Sequence, residues 1–158
     1  MNSLARKVGK RLQAARAKLV TAESCTGGWV AQAVTSVSGS SAWFERGFVT
    51  YSNEAKREML GVKSATLRKH GAVSEQTARE MARGALRKSR GTLAVAVTGV
   101  AGPTGGSVAK PVGMVCFSWA TRKNQWSETI RFRGNRASVR RQSVIRALKG
   151  VLALVAGG

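Results

Sequence analysis

Residues 92–98, TLAVAVT, constrain the fold more than any other stretch of this chain. The run is rich in valine and alanine and alternates only weakly between apolar and polar positions, which is typical of a β-strand covered on both faces. Because such a strand needs a helical layer on each side of its sheet, the run predicts a three-layer α/β/α domain.

Helical and strand patterns alternate along the rest of the chain. Apolar spacing predicts helices over residues 2–17, 29–37, 53–60, 75–88 and 136–155, with a helical turn over 64–70. Apolar runs predict strands over residues 18–23, 43–51, 92–98, 112–121 and 126–133, the last two as a hairpin. This order favours a mixed, mostly parallel sheet. A length of 158 residues suits one domain, spanning residues 1–158.

The chain is strongly basic. It has 27 Lys and Arg residues against seven acidic residues, all of them Glu, and its formal net charge is +20. Such a charge attracts polyanions, so nonspecific binding to nucleic acid is expected at low salt. The basic residues are spread from Arg6 to Lys149, which is more typical of a general attraction than of a surface that reads a base sequence.

No part of the sequence predicts a membrane partner. No apolar run approaches the ~20 residues that span a bilayer, and residues 1–19 are too basic for a secretory signal. We therefore expect a soluble, cytoplasmic protein. An exposed apolar face on the first or last helix would allow a homodimer.

The residue types present exclude several kinds of active site. His70 is the only histidine and there is no Asp, so paired aspartates and His-rich metal sites are excluded. Cys25 and Cys116 are too few for a disulfide framework or a metal cluster. We expect neither a metal nor a cofactor, and a hydrolase of this composition would take its base from Lys, Tyr or Glu.

Ser24 lies where a predicted strand gives way to a predicted helix, within the stretch TAESCTGGW at residues 21–29. A helix that opens at residues 26–28 leaves its first N–H groups free to receive a phosphate oxygen or an oxyanion over Ser24. The same residue types are also ordinary helix caps. Cys25 is a rival nucleophile, because a helix N-terminus lowers a thiol pKa, although a small buried residue is the interpretation we favour for it.

Tyr51 and Lys56 follow the second predicted strand and could meet Ser24, since the carboxyl ends of neighbouring strands line one crevice. A desolvated lysine can lose its proton and act as a general base for serine, and a tyrosine can relay or donate a proton. The alternative for Lys56 is an ordinary surface lysine on a helix.

A glycine-rich loop, TGVAGPTGGS at residues 98–107, ends the central strand. Its N–H groups and the hydroxyls of Thr98, Thr104 and Ser107 suit a phosphate or a ribose. Lys110 lies just beyond it and could add charge. A cluster at the start of the last helix could hold an anionic substrate through at least one of its members, Arg133, Arg136, Arg140 and Arg141.

Taken together, these motifs resemble the C-terminal domain of the competence-damage protein CinA. They are AESCTGG at residues 22–28, YSNEAK at 51–56 with LGV at 60–62, GAVS at 71–74, TGVAGP at 98–103 with GGS at 105–107, and KPVG at 110–113, followed by Arg136, Val139 and Arg140. The resemblance covers nearly the whole chain. Its stand-alone members are nicotinamide-nucleotide amidases, and the length of this chain is similar to theirs.

The resemblance implies hydrolysis of the carboxamide of nicotinamide mononucleotide (NMN), giving nicotinate mononucleotide and ammonia, without a metal. In the matching positions Ser24 would be the nucleophile, and Lys56 and Tyr51 would handle its proton and that of ammonia. Residues implied to bind the nucleotide substrate or its oxyanion are Thr26, Gly27, Gly28, Thr98, Gly99, Gly102, Gly105, Gly106, Ser107, Lys110 and Arg140.

Two departures and two alternatives accompany this prediction. Family members commonly carry Asp where this chain has Thr104 and Asn135. The net charge also fits a nucleic-acid-associated module, and a degenerate relative could bind a nucleotide without turning it over. Ammonia release separates the amidase from both alternatives.

Overall fold

A computed structural model describes residues 1–157. The helices are α1 (Asn2–Ala14), α2 (Trp29–Thr35), α3 (Asn53–Leu60), α4 (Ser64–His70), α5 (Glu75–Arg87) and α6 (Arg136–Gly157), with a single 3₁₀ turn at Ser40–Ala42. The strands are β1 (Leu19–Glu23), β2 (Phe44–Val49), β3 (Leu93–Gly99), β4 (Met114–Thr121) and β5 (Gln125–Arg131).

The five strands form one mixed sheet in the order β2-β1-β3-β4-β5. Strand β1 pairs in parallel with β2 and β3, whereas β4 pairs antiparallel with both β3 and β5. Four of the five strands therefore point in the same direction. The prediction of a mixed, mostly parallel sheet is confirmed.

Helices cover both faces of this sheet. On one face α1, α2 and α6 pack over an apolar cluster that includes Leu12, Trp43 and Trp119. On the other face α3 and α5 pack over a smaller cluster that includes Leu60 and Met81. Because both faces are covered, residues 93–98 of β3 are buried throughout, as their composition predicts. The three-layer α/β/α architecture is confirmed.

The element boundaries differ from the sequence-based ones mainly at turns. Helix α1 ends at Ala14 rather than at residue 17, because Arg16 has a positive φ of 53° that breaks the helix. Strand β4 begins at Met114, since Gly113 has a φ of 92° and its N–H donates to the carbonyl of Val100.

The large apolar side chains exposed among residues 1–157 are Val49, Tyr51, Met59 and Val108. None of them lies on α1 or α6, the helices whose apolar faces were expected to allow a homodimer. The homodimer itself stays a prediction. Within residues 1–157, no helix is both long enough and apolar enough to cross a bilayer.

Candidate active site

Ser24 lies at the carboxyl ends of the three parallel strands. Its N–H donates to the carbonyl of Val97 at 2.9 Å, which extends the pairing of β1 with β3 by one residue. On the other side the N–H of Thr50 donates to the carbonyl of Glu23 at 2.8 Å. These bonds fix the Ser24 backbone in the crevice where sheets of this kind hold their ligands.

The side chain of Lys56 reaches Ser24 from α3. It is 1% exposed, and its Nζ lies 3.0 Å from Ser24 Oγ, 3.1 Å from the carbonyl oxygen of Thr50 and 3.1 Å from that of Tyr51. Ser52 caps the start of α3, because its Oγ accepts from the N–H of Ala55 at 3.0 Å. The cap sets where α3 begins and so brings its fourth residue, Lys56, over Ser24.

Burial lowers the pKa of Lys56, because desolvation penalises the ammonium form. No carboxylate among residues 1–157 forms an ion pair with it. A neutral amine has two N–H donors and one lone pair. As an ammonium, Lys56 donates to Ser24 Oγ and to the carbonyls of Thr50 and Tyr51. As a neutral amine it keeps two donors for the carbonyls and turns its lone pair to the Ser24 hydroxyl, which is the arrangement that a general base requires.

Cys25 is unsuited to the role of nucleophile. The residue is 6% exposed, and burial is the main cause that raises the pKa of its thiol to about 12. At neutral pH almost no thiolate is present, so Cys25 supplies no negative charge to Lys56 either. The structure agrees with the interpretation of Cys25 as a small buried residue.

The N-terminus of α2 is already occupied by a side chain. Both carboxylate oxygens of the buried Glu23 accept from it: Oε1 from the N–H of Val30 at 2.8 Å and Oε2 from the N–H of Ala31 at 3.0 Å. Thr26 Oγ1 also donates to Oε1, at 2.6 Å. The expectation that the first amides of this helix are free over Ser24 is therefore wrong, because the helix begins at Trp29 and Glu23 caps it.

Arg140 binds the backbone of the turn that follows Ser24, at residues 25–26. Its Nε donates to the carbonyl of Cys25 at 3.0 Å, its Nη2 donates to the carbonyl of Thr26 at 3.1 Å, and its guanidinium lies over the Trp29 ring. The expectation that Arg140 binds the substrate phosphate does not fit this placement, because its donors are turned to the backbone of the turn.

A cavity of about 290 Å³ opens in front of Ser24. It brings together the three predicted catalytic residues and part of the glycine-rich loop. Its lining consists of Ser24, Cys25, Tyr51, Asn53, Lys56, Ala72, Val73, Thr98, Gly99, Val100, Ala101, Gly102, Thr104, Gly105 and Arg136. The predicted substrate-binding residues Thr98, Gly99, Gly102 and Gly105 are thus at the site.

Arg136 and Tyr51 form the mouth of this cavity. Arg136 Nη1 donates to the carbonyl of Gly102 at 2.9 Å, and its Nη2 donates to the phenol oxygen of Tyr51 at 3.3 Å. The Tyr51 residue is 61% exposed. The structure therefore places the carbonyl of Tyr51 next to Lys56, while the phenol lies at the mouth.

Seven predicted substrate-binding residues do not line the cavity, namely Thr26, Gly27, Gly28, Gly106, Ser107, Lys110 and Arg140. The Lys110 ammonium donates to the carbonyl of His70, and this side chain lines a neighbouring cavity of about 530 Å³ instead. The loop folds back here, since the N–H of Ser107 donates to the carbonyl of Lys110 at 2.9 Å. That fold carries Ser107 and Lys110 away from Ser24.

The sequence did not single out several lining residues. Asn53 begins α3, Ala72 and Val73 lie between α4 and α5, and Val100 follows β3, so only the fold brings them together. Arg136 is one of four arginines near the start of α6, and its place in the family motif with Val139 and Arg140 did not separate it from Arg140. Asn135 caps the start of α6 in the position where an aspartate is common, because its Oδ1 accepts from the N–H of Ser138 at 2.9 Å.

No group of three or more His, Cys, Asp and Glu side chains is placed to hold a metal ion in the part of the chain that the structure describes.

Comparison of the sequence with known proteins points to one family. The model of the CinA C-terminal domain matches residues 1–155. The nicotinamide-nucleotide amidohydrolase PncC of Escherichia coli K12 is 54% identical over 147 residues, which cover 92% of this chain and 89% of that protein. The protein of the same name from Pseudomonas putida is 51% identical over 154 residues, covering 98% and 96%.

Solved structures agree with the sequence matches. The competence/damage inducible protein CihA from Agrobacterium tumefaciens superposes with a TM-score of 0.95 at 48% identity, covering 97% of this chain and 94% of that one. A CinA superfamily protein from Klebsiella pneumoniae superposes with a TM-score of 0.96 at 38% identity, covering 99% and 98%.

Proposed function

Because this chain belongs to the CinA C-terminal domain family, we propose that it hydrolyses the carboxamide of NMN to nicotinate mononucleotide and ammonia, with Ser24 as nucleophile and Lys56 as base. The names of the PncC relatives support the substrate. The observation that carries the mechanism is the buried Lys56 Nζ, 3.0 Å from Ser24 Oγ and free of any ion pair with a carboxylate within residues 1–157. Such a reaction belongs to the recycling of pyridine nucleotides.

Neutral Lys56 takes the proton of the Ser24 hydroxyl as Oγ attacks the carboxamide carbon. The resulting ammonium returns a proton to the amide nitrogen, which leaves as ammonia when the C–N bond breaks. A water molecule, deprotonated by the same amine, then attacks the ester carbon. The ammonium returns that proton to Ser24 Oγ as the C–O bond to the serine breaks, and the acid leaves as nicotinate mononucleotide, losing its own proton to solvent. The carbonyls of Thr50 and Tyr51 hold the amine in place through both half-reactions.

The N–H groups of Cys25 and Thr26 are the proposed oxyanion donors. Neither donates to a backbone carbonyl within residues 1–157. The N–H of the residue after the nucleophile is a recurring donor of this kind. In a trans peptide the N–H points opposite to the preceding carbonyl. Because Arg140 draws the Cys25 carbonyl towards itself, the N–H of Thr26 points away from Arg140. Arg140 is therefore a positioning residue in this proposal.

Arg136 is the proposed ligand of the substrate phosphate. It lies at the cavity mouth with the Tyr51 phenol, and its guanidinium also spans to the carbonyl of Gly102. An exposed arginine that is held on two sides is pre-oriented for an anion. The backbone of the loop from Gly102 to Gly105 lies beside it and suits the ribose.

The test is ammonia release from NMN by the purified protein, compared with a Ser24→Ala variant. Ser41→Ala, which changes an exposed serine far from the cavity, is the matched control. We expect the control to retain wild-type activity and Ser24→Ala to lose it while keeping the wild-type melting temperature. Full activity in Ser24→Ala would exclude the mechanism. NMN binding by the wild-type protein without ammonia release would exclude the amidase itself.

A further inference from the structure

Basic residues are distributed unevenly between the two helical layers. The layer formed by α1, α2 and α6 contains nine basic residues and no acidic residue: Arg6, Lys7, Lys10, Arg11, Arg136, Arg140, Arg141, Arg146 and Lys149. The opposite layer, formed by α3, α4 and α5, contains seven basic and four acidic residues. The helices of the first layer thus carry a net charge of +9, and those of the opposite layer a net charge of +3.

Seven of the nine basic side chains are exposed and have no ion-pair partner among residues 1–157, and one of these seven, Arg136, lies at the cavity mouth. The other two have partners: Arg140 binds the turn after Ser24, and Arg146 pairs with Glu128. We call the remaining six the basic face: Arg6, Lys7, Lys10, Arg11, Arg141 and Lys149. Helices α1 and α6 pack against each other, so the two halves of this face are adjacent.

We propose that the basic face binds the phosphate backbone of duplex DNA without regard to base sequence. With a rise of about 1.5 Å per residue, Arg141 and Lys149 lie about 12 Å apart along α6. A duplex carries one phosphate charge per ~1.7 Å of axis, so this distance spans about seven phosphates. A rigid pair of helices with cations on its solvent side is complementary to a straight, regular polyanion.

Other features of the same layer argue against single strands and membranes. Proteins that bind single strands stack the bases on exposed aromatic side chains. Insertion into an anionic membrane surface needs an exposed apolar stripe. Among residues 1–157 none of the exposed large apolar side chains lies on α1, α2 or α6. The apolar side of α1, which includes Val8 and Leu12, is buried in the core.

The proposal predicts a salt dependence of defined size. With about six phosphate contacts, affinity falls about 1,000-fold between roughly 50 and 200 mM salt. Each contact contributes about 0.9 to the slope of the logarithm of affinity against the logarithm of salt concentration. Removal of three contacts therefore lowers the magnitude of that slope by about 2.7.

Two charge-reversal variants of equal net charge test the location of the site. Arg6→Glu/Lys10→Glu/Arg141→Glu changes the basic face, and Arg57→Glu/Arg68→Glu/Lys88→Glu changes exposed residues outside it. Binding to a fluorescent duplex of about 20 base pairs is measured by anisotropy over a salt series. We expect the first variant to lose at least about 30-fold in affinity, with the lower slope, and the second to lose no more than about threefold. The corresponding Gln variants repeat the comparison if reversal lowers the melting temperature.

Three outcomes would overturn the proposal. Equal losses in the two variants would mean that net charge alone causes the binding. Tighter binding to phosphatidylglycerol vesicles, or to a single strand of the same length, would assign the face to another partner. Absence of duplex binding at the lowest salt would show that the basic face does not bind DNA. None of the six changed residues belongs to the proposed catalytic site, so both variants should release ammonia from NMN at the wild-type rate. Failure of the DNA-binding proposal would therefore leave the proposed amidase function standing.

Discussion

Substitution of Lys56 by methionine tests the proposed base most directly. Methionine is unbranched and nearly fills the space of the buried lysine, but it has no amine. General-base catalysis contributes about 10²- to 10⁴-fold, so we expect kcat to fall by about 1,000-fold or more, which corresponds to about 4 kcal/mol in the barrier. KM should change little, because the amine acts on Ser24 rather than on the phosphate.

The variant should remain folded. The carbonyls of Thr50 and Tyr51 each lose one donor, at a net cost of about 1 kcal/mol each. Relief of the desolvation of the amine offsets this cost. We therefore expect the free energy of unfolding at pH 7 to change by less than about 2 kcal/mol, as measured by urea denaturation.

The pH dependence gives a second, independent readout. Because the pKa of Lys56 is lowered by burial, the logarithm of kcat/KM in the wild type should rise with slope one as pH increases to that pKa and then level off. The folded state binds fewer protons than the unfolded state between the folded pKa and about 10.4. The stability of the wild type relative to Lys56→Met should therefore increase with pH over that window.

Lys63→Met, which removes an exposed lysine, is the matched control and should keep the wild-type rate and pH profile. If Lys56→Met stays folded and retains more than about a tenth of the wild-type kcat, Lys56 is not the base. A wild-type pH profile that persists in the variant would lead to the same conclusion.

Four further predictions concern the surroundings of the nucleophile. Arg136→Met should raise KM for NMN by about 10- to 100-fold with a smaller effect on kcat, because a charged hydrogen bond is worth about 1.5–3 kcal/mol; steady-state kinetics with nicotinamide riboside, which lacks the phosphate, should show no such difference. Arg140→Met should show the opposite pattern, a lower kcat at nearly constant KM. An unchanged kcat would show that Arg140 does not position the turn after Ser24. Glu23→Gln should lower the free energy of unfolding by about 1–3 kcal/mol, because one oxygen of the buried cap becomes a donor facing an N–H group; chemical denaturation measures this loss. Cys25→Ala should keep most of its activity, and the wild-type thiol, with its pKa raised to about 12, should resist iodoacetamide at pH 7.

The order and type of the elements could be read from the sequence because each element carries its own pattern. The uninterrupted apolar run of β3 indicated a doubly covered strand. The helix Asn53–Leu60 was predicted with its observed bounds, since Ser52 provides a local cap and Gly61 a local stop. Ser24, Tyr51 and Lys56 could be chosen as candidates because each sits near the carboxyl end of a predicted strand.

What the tertiary structure decided is which atoms of those residues meet. The local pattern of serine and glycines before α2 suggested free amides, but the carboxylate of Glu23 folds back and occupies them. The sequence offered four arginines for the anion, and packing of α6 turned Arg140 to the Cys25–Thr26 turn and Arg136 to the cavity.

The sequence by itself determined that the chain forms a layered α/β domain with a serine at a strand end, and it offered Lys56 as a candidate base. These properties depend on short-range patterns of apolar, capping and turn residues. The tertiary structure alone decided that Lys56 is buried without a carboxylate partner within residues 1–157, and that the nine basic residues of α1 and α6 share one helical layer. Burial and charge asymmetry depend on contacts between residues far apart in the chain, which no local pattern specifies.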